Sequence, residues 1–255
     1  MRLHNPPAMT PTDTRRERTM VEVLNKSEHL APYRPSPILV PCVIVGLLVF
    51  SILDLIYIPA GIIGMYGAGV FNGGVRDQDL VDLSILIRAL SALGQLGMFF
   101  ILTTLFSVLI YRCAKNARTL GFTGFTHSPG MTVGWFYIPF AHLIMPYIAI
   151  AEIWQSSKAT VEPGIFPEWL DMKIGPLLGA WWATWIFGTL INNTASRMSR
   201  SQYLEAIGMS IIPFAAALQV ASAFLCIVVV YRLTQRQHQQ ALALSPQNGE
   251  HECPT

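Results

Sequence analysis

Between Ala89 and Tyr111 the chain runs without a charged side chain, and comparable stretches lie at Pro35 to Leu53, Thr119 to Ala151, Ile174 to Ser196 and Ala206 to Tyr231. A hydrocarbon slab needs about 20 mostly apolar residues per crossing helix. The chain is therefore expected to be all-α, a polytopic transmembrane helical bundle. Composition agrees: charged residues make up 13% of the sequence, against roughly 25% in soluble domains. The net charge of +2 is small and the basic residues are scattered, which argues against a nucleic-acid partner. Their positions bear on topology instead.

Cys42, Cys113, Cys226 and Cys253 show no CxxC spacing, so free thiols are expected, with no metal and no cofactor. His238, His251 and Cys253 are too sparse for a metal site, and Asn192-Asn193-Thr194 matches the glycosylation pattern only as chance allows. The first apolar run begins near Pro37, after Arg15, Arg16, Arg18, Lys26 and Arg34. It reads as an uncleaved anchor rather than a signal peptide. Residues 1–34 read as a disordered cytoplasmic tail in which Met1, Met9 or Met20 could start the chain, 35–237 as the membrane domain, and 238–255 as a second disordered tail.

Spans are expected at about 38–58, 86–111, 174–192 and 207–231. Between Ala89 and Tyr111 the second holds twelve Leu, Ile, Phe or Val residues, worth roughly −4 to −7 kcal/mol of insertion free energy. Pro59 and the glycines at 61, 64, 67, 69, 73 and 74 suggest a loose connector after the first span. Asp77, Asp79 and Asp82 then read as helix-capping acids rather than a calcium loop.

Segment 131–157 is different, because Pro139, His142 and Pro146 oppose its insertion. It is expected to be a kinked interfacial or re-entrant helix, giving four spans with both termini cytoplasmic; five spans is the alternative. The four-span arrangement keeps the basic run Arg112, Lys115 and Arg118 inside and leaves Arg76, Arg88, Arg197 and Arg200 outside.

Within this segment the residues read Ser128-Pro129-Gly130, then Val133-Gly134-Trp135-Phe136-Tyr137-Ile138-Pro139, then Pro146-Tyr147, then Glu152-Ile153-Trp154. The stretch resembles a bacterial membrane family, domain of unknown function 4328. Tyr111-Arg112 with Asn116-Ala117-Arg118, Trp181-Trp182-Ala183-Thr184-Trp185 and Val230-Tyr231-Arg232-Leu233-Thr234 resemble further stretches of that family in the same order. The resemblance covers roughly 85–237 and implies no activity. This chain has His142 where the family has Asn, and Met145 and Ala151 where it has basic residues.

On one continuous helix Trp135, Pro139, His142 and Pro146, spaced by four, three and four, would share a face. They would make either a kink buried against neighbours or a small polar cavity around His142. Beyond Pro146, Glu152, Gln155 and Ser156 fall opposite Ile150, Ile153 and Trp154, which suits a helix lying on the membrane surface with Tyr147 and Trp154 as anchors. Gly175, Gly179 and Ala183 form a small-residue stripe for close helix packing, with Trp181, Trp182 and Trp185 beside it. Asp54, an acid inside a span, is expected at a solvated helix end, where Arg88 could pair with it.

The expected function is a non-enzymatic adaptor or regulatory module in the bacterial plasma membrane, with the lipid bilayer as its surroundings, a protein partner at the cytoplasmic face, and a homo-oligomer allowed. The alternative is a small-solute or lipid-handling transporter using the Pro139, His142 and Pro146 face, although no internal repeat is seen. An intramembrane enzyme ranks third, since HExxH and GxSxG are missing and His142 and Glu152 pair poorly. Topology is testable with Thr160→Cys and Gln240→Cys in a background lacking native cysteines. Four spans predict that both are protected from an impermeant thiol reagent in intact cells; five predict that both are labelled.

Overall fold

The structure is a computed structural model that describes residues 33–158, 173–201 and 203–244. Among them every regular element is helical: α1 (Leu39–Gly67), α2 (Gln78–Thr119), α3 (Pro129–Gly134), α4 (Met145–Ser156), α5 (Pro176–Met198) and α6 (Glu205–Leu244), with short 3₁₀ turns at Trp135–Tyr137 and Ala141–Leu143. By length and composition α1, α2 and α6 can each cross a bilayer. The α3–α4 pair, bent by 109°, raises the number to four if it counts as one crossing. Three of the chain's six tryptophans lie on α5 and lower the hydropathy of that 23-residue helix.

The long helices pack in the order α2, α1, α6, α5, each antiparallel to the next. Gly64 lies against Ser84, Gly46 against Leu102, Gly61 against Pro213, and Gly188 against Leu218 and Gln219. The main apolar core gathers at one end of this row. It is built from Val43 of α1, Leu109, Ile110, Cys113 and Ala114 of α2, Ile150, Ile153 and Trp154 of α4, Leu178, Trp181 and Trp182 of α5, and Cys226, Val229, Val230 and Leu233 of α6. This end carries Arg112, Lys115, Arg118, Arg232 and Arg236, and is called the basic end below.

α1 is longer than the expected 38–58 span: it continues through Pro59 to Gly67. Of the glycines taken for a loose connector, Gly61, Gly64 and Gly67 are close-approach points within α1, while Gly69, Gly73 and Gly74 do lie in the turn between α1 and α2. A Cβ at Gly67 would lie 2.7 Å from the Val81 backbone nitrogen, and one at Gly64 would lie 3.0 Å from Ser84 Oγ. α2 begins where the capping reading put it, with Asp77 accepting from the Leu80 N–H at 3.2 Å. The C-terminal boundary at 237 also moves, because α6 runs on to Leu244. Gln237 there donates to the Cys113 carbonyl at 2.9 Å, and Ala241 and Leu244 pack on Leu120 and Phe122. Of the expected N-terminal tail, Tyr33 and Arg34 are held to the bundle; residues 1–32, 159–172 and 245–255 lie outside the described residues.

Gly67 and Gly97 offer a paired test. Gly67→Ala should lower the melting temperature in detergent, by a destabilisation of about 1–3 kcal/mol, because backbone rather than a flexible side chain fills the space. Gly97, inside α2 with nothing within 4 Å of an added Cβ, should tolerate Ala and gain up to about 1 kcal/mol.

Candidate functional site

Ser128 starts the bent segment by accepting from the Met131 N–H at 3.2 Å, with Pro129 in the first turn of α3. Proline is pre-set for that position. The chain then passes Trp135–Tyr137, turns extended at Ile138, takes a positive φ of 62° at Phe140, and re-forms helix at Met145. The expected single helix is therefore broken, and Trp135, Pro139, His142 and Pro146 do not share a face. Pro139 is exposed, His142 half-buried and Pro146 buried. A second proline and a left-handed residue within seven positions interrupt the ladder that a common face would require.

The hairpin tip satisfies its own backbone. The Ile138 carbonyl accepts from the His142 N–H at 3.0 Å, Pro139 from Ala141 at 2.7 Å, Phe140 from Leu143 at 3.3 Å and Ala141 from Ile144 at 3.1 Å. The Leu143 carbonyl accepts from Trp182 Nε1 at 2.8 Å. Outside these bonds the tip shows apolar side chains, Ile138, Phe140 and Ile144 all being exposed. The tip sits beside Ser107, whose hydroxyl is 2.8 Å from that of Tyr137. That is about 16 Å from Arg118 along α2 at 1.5 Å per residue.

Both ends of the segment return to the basic end. Arg118 donates to the His127 carbonyl and stacks 4.4 Å from the centre of Phe125. Glu152 accepts from the Thr126 N–H at 3.3 Å, with His127 Nδ1 3.9 Å away. At the other end Gln240 donates to the Ser156 carbonyl at 3.0 Å. Asn116 binds the backbone of Arg34 twice, accepting from its N–H at 3.2 Å and donating to its carbonyl at 3.0 Å. Arg236 lies 4.6 Å from the centre of the Trp154 ring, with Lys158 near the same ring. Burial, with Arg236 beside it, holds the Lys158 ammonium below its ordinary value.

The surface-helix reading of α4 is overturned. Glu152, Gln155 and Ser156 are buried together with Ile150, Ile153 and Trp154. Its polar side turns inward because it closes the hairpin onto the 126–127 turn and α6, so it faces protein rather than headgroups. The small-residue stripe is corrected too. Gly175 lies near Lys158 and Gly179 near the Tyr147 hydroxyl, while Ala183 is exposed, and the close helix approach on α5 occurs at Gly188 instead. Trp181 and Trp182 pack on Phe106, Phe136 and Tyr147, and Trp185 on Trp182. Gly130 and Gly134 make no close helix contact.

Asp54 is neither solvated nor at a helix end. It is buried in the middle of α1, about 20 Å from either terminus at 1.5 Å per residue, and its Oδ1 accepts from Gln95 Nε2 of α2 at 2.8 Å. The expectation failed because α1 extends past Pro59. Further along the same interface Tyr57 donates to the Arg88 carbonyl at 3.3 Å, and Arg88 donates to the Ser84 carbonyl and hydroxyl at 3.2 and 3.1 Å. Sequence reading missed Gln95, Ser91 and Ser84. Their signal was present: Ser84, Arg88, Ser91 and Gln95 recur at four, three and four, and Ser51, Asp54 and Tyr57 at three and three.

Trp182→Phe tests the seating of the hairpin. It preserves the ring packing but leaves the Leu143 carbonyl without its indole donor, a loss of about 1–3 kcal/mol. The expected readout is a lower melting temperature in detergent with new proteolysis between Ile138 and Ile144.

Comparisons with curated proteins and with solved structures find no match. The sequence model of one family matches residues 73–235, more than half of the chain and all of the converging motifs from Arg118 to Leu233. The chain therefore belongs to the family described as domain of unknown function 4328.

Proposed function

We propose that this protein is a four-span, non-enzymatic membrane module of the bacterial plasma membrane that acts as an adaptor or regulator through its basic, cytoplasmic end. The observation that carries the reading is where the motif polar groups go. Asn116, Arg118, Glu152 and Trp182 each bond backbone atoms of another segment of the same chain. A signature spent on seating a hairpin is the signature of a scaffold.

Helix packing supports the four-crossing reading. α5 lies antiparallel along α6, with Leu178 and Trp181 in one core with Val229 to Leu233 and Gly188 against Leu218, so α5 crosses wherever α6 crosses. The bent segment enters and leaves at the basic end and is re-entrant. Basic residues then concentrate on one face, as the positive-inside rule requires. The exposed Arg112, Lys115 and Arg232 on that face offer a surface for an acidic protein partner.

Photo-crosslinking residues at 112, 115 and 232 test this in intact cells. The reading expects a reproducible protein adduct at these positions, and only lipid adducts from a control at Leu93 on the outward side of α2, which is 67% exposed. Lipid adducts at every position would overturn it.

A further inference from the structure

α1 and α2 face each other through a polar ladder that ends deep between them. Asp54 is 8% exposed, one carboxylate oxygen takes the Gln95 amide at 2.8 Å, and Oδ2 has no hydrogen-bond partner. Gln95 lies seven residues beyond Arg88 in the uncharged run of α2, about 10 Å into the apolar zone at 1.5 Å per residue. An ionised carboxylate there would leave a negative oxygen desolvated against a single amide donor. That is a costly state, which buried acids avoid by taking up a proton.

The groups around Asp54 are few. α1 contributes the Tyr57 phenol one turn on, and α2 contributes Arg88, which donates to the carbonyl and hydroxyl of Ser84. α6 carries no titratable side chain between Ile207 and Tyr231 except Cys226, which sits in the core of the basic end. The surroundings are asymmetric along the helix axis. Toward the α1–α2 turn the interface holds Tyr57, Arg88 and Ser84 and then the exposed Asp77 and Asp79. Toward the basic end it holds the buried Ser51, whose hydroxyl donates to the Leu47 carbonyl of its own helix at 2.8 Å, and then only Gly46 against Leu102, Val43, Leu109 and Ile110.

We propose that Asp54, held by Gln95 in the α1–α2 interface, is a proton-binding site inside the membrane that exchanges its proton with water at the face bearing the α1–α2 turn. Oδ2 carries the proton; release gives the carboxylate and one proton to that aqueous face, and uptake reverses it, with no other reactant. The polar ladder from Tyr57 to Ser84 supplies the route, and the apolar packing at Gly46 and Leu102 closes the other side. Asp54 lies outside the stretch matched by the family, whereas Gln95 lies within it.

Infrared spectroscopy of the full chain in liposomes, with ¹³C-carboxyl aspartate, tests this on the unaltered protein. The other aspartates, Asp13, Asp77, Asp79, Asp82 and Asp171, lie outside the apolar runs and contribute carboxylate bands at neutral pH. The expected result is a ¹³C-shifted protonated-carboxyl band at neutral pH that disappears on raising the pH, and that is missing from Asp54→Asn. With impermeant buffers and an ionophore-free membrane, the band should respond only to the pH on the side of the α1–α2 turn. Carboxylate bands alone at neutral pH would overturn the proposal. So would a protonated band that no pH removes, a response to the opposite side, or loss of the band on adding sodium at fixed pH, which would make a metal cation the ligand. The labelled wild type decides each outcome even if Asp54→Asn fails to fold.

Discussion

In hydrocarbon no water is available to a stranded carbonyl or amide, so irregular backbone survives only where the protein itself supplies every partner. The segment between α3 and α4 shows how that constraint shapes this fold. Its chain reverses at Ile138 to Ile144, where the α-helix is interrupted, and the carbonyls are taken up by amides two to four residues on and by the Trp182 indole. What remains outside is Phe140, Ile138 and Ile144, side chains that suit lipid. The tryptophans of α5 follow from the same need, since an indole brings a donor and a large apolar surface to one place.

The closed hairpin organises the basic end. Its two stems bring the 126–127 turn and Ser156 to the same side, where Arg118, Glu152 and Gln240 fasten them to α2 and α6. Asn116 and Gln237 extend the cap to Arg34 and Cys113. Each of these is a polar side chain bonded to a backbone atom of another segment, so the cap ties sequence-remote pieces together. In the opposite half of the bundle, glycines at 61, 64 and 67 bring α1 against its neighbours. It is there, in the polar interface of α1 and α2, that the Asp54 carboxyl is buried.

Much of this was legible in the residues. Uncharged runs located the helices of the bundle, Asp77 marked the start of α2, and the ordered motifs identified the family. Helix ends were misplaced where a tertiary contact extended the helix: Gly67 continues α1 because α2 lies directly against it, and Gln237 and Gln240 carry α6 beyond its apolar run. The one-face reading of Trp135, Pro139, His142 and Pro146 failed because spacing implies a face only on an unbroken helix. The same spacing at Ser84, Arg88, Ser91 and Gln95, on a continuous helix, did make one.

The sequence alone determined that the chain's surroundings are apolar, since the run lengths and missing charges admit few other solvents. It also determined which residues would meet in a signature, because their types and order are written in it. Tertiary structure decided which way polar side chains turn. Glu152 points into protein and not to headgroups, and Asp54 lies mid-helix beside Gln95 and not at a wet end. The physical reason is that a polar group's cost depends on which partner reaches it, and partners from distant helices are not encoded in local spacing.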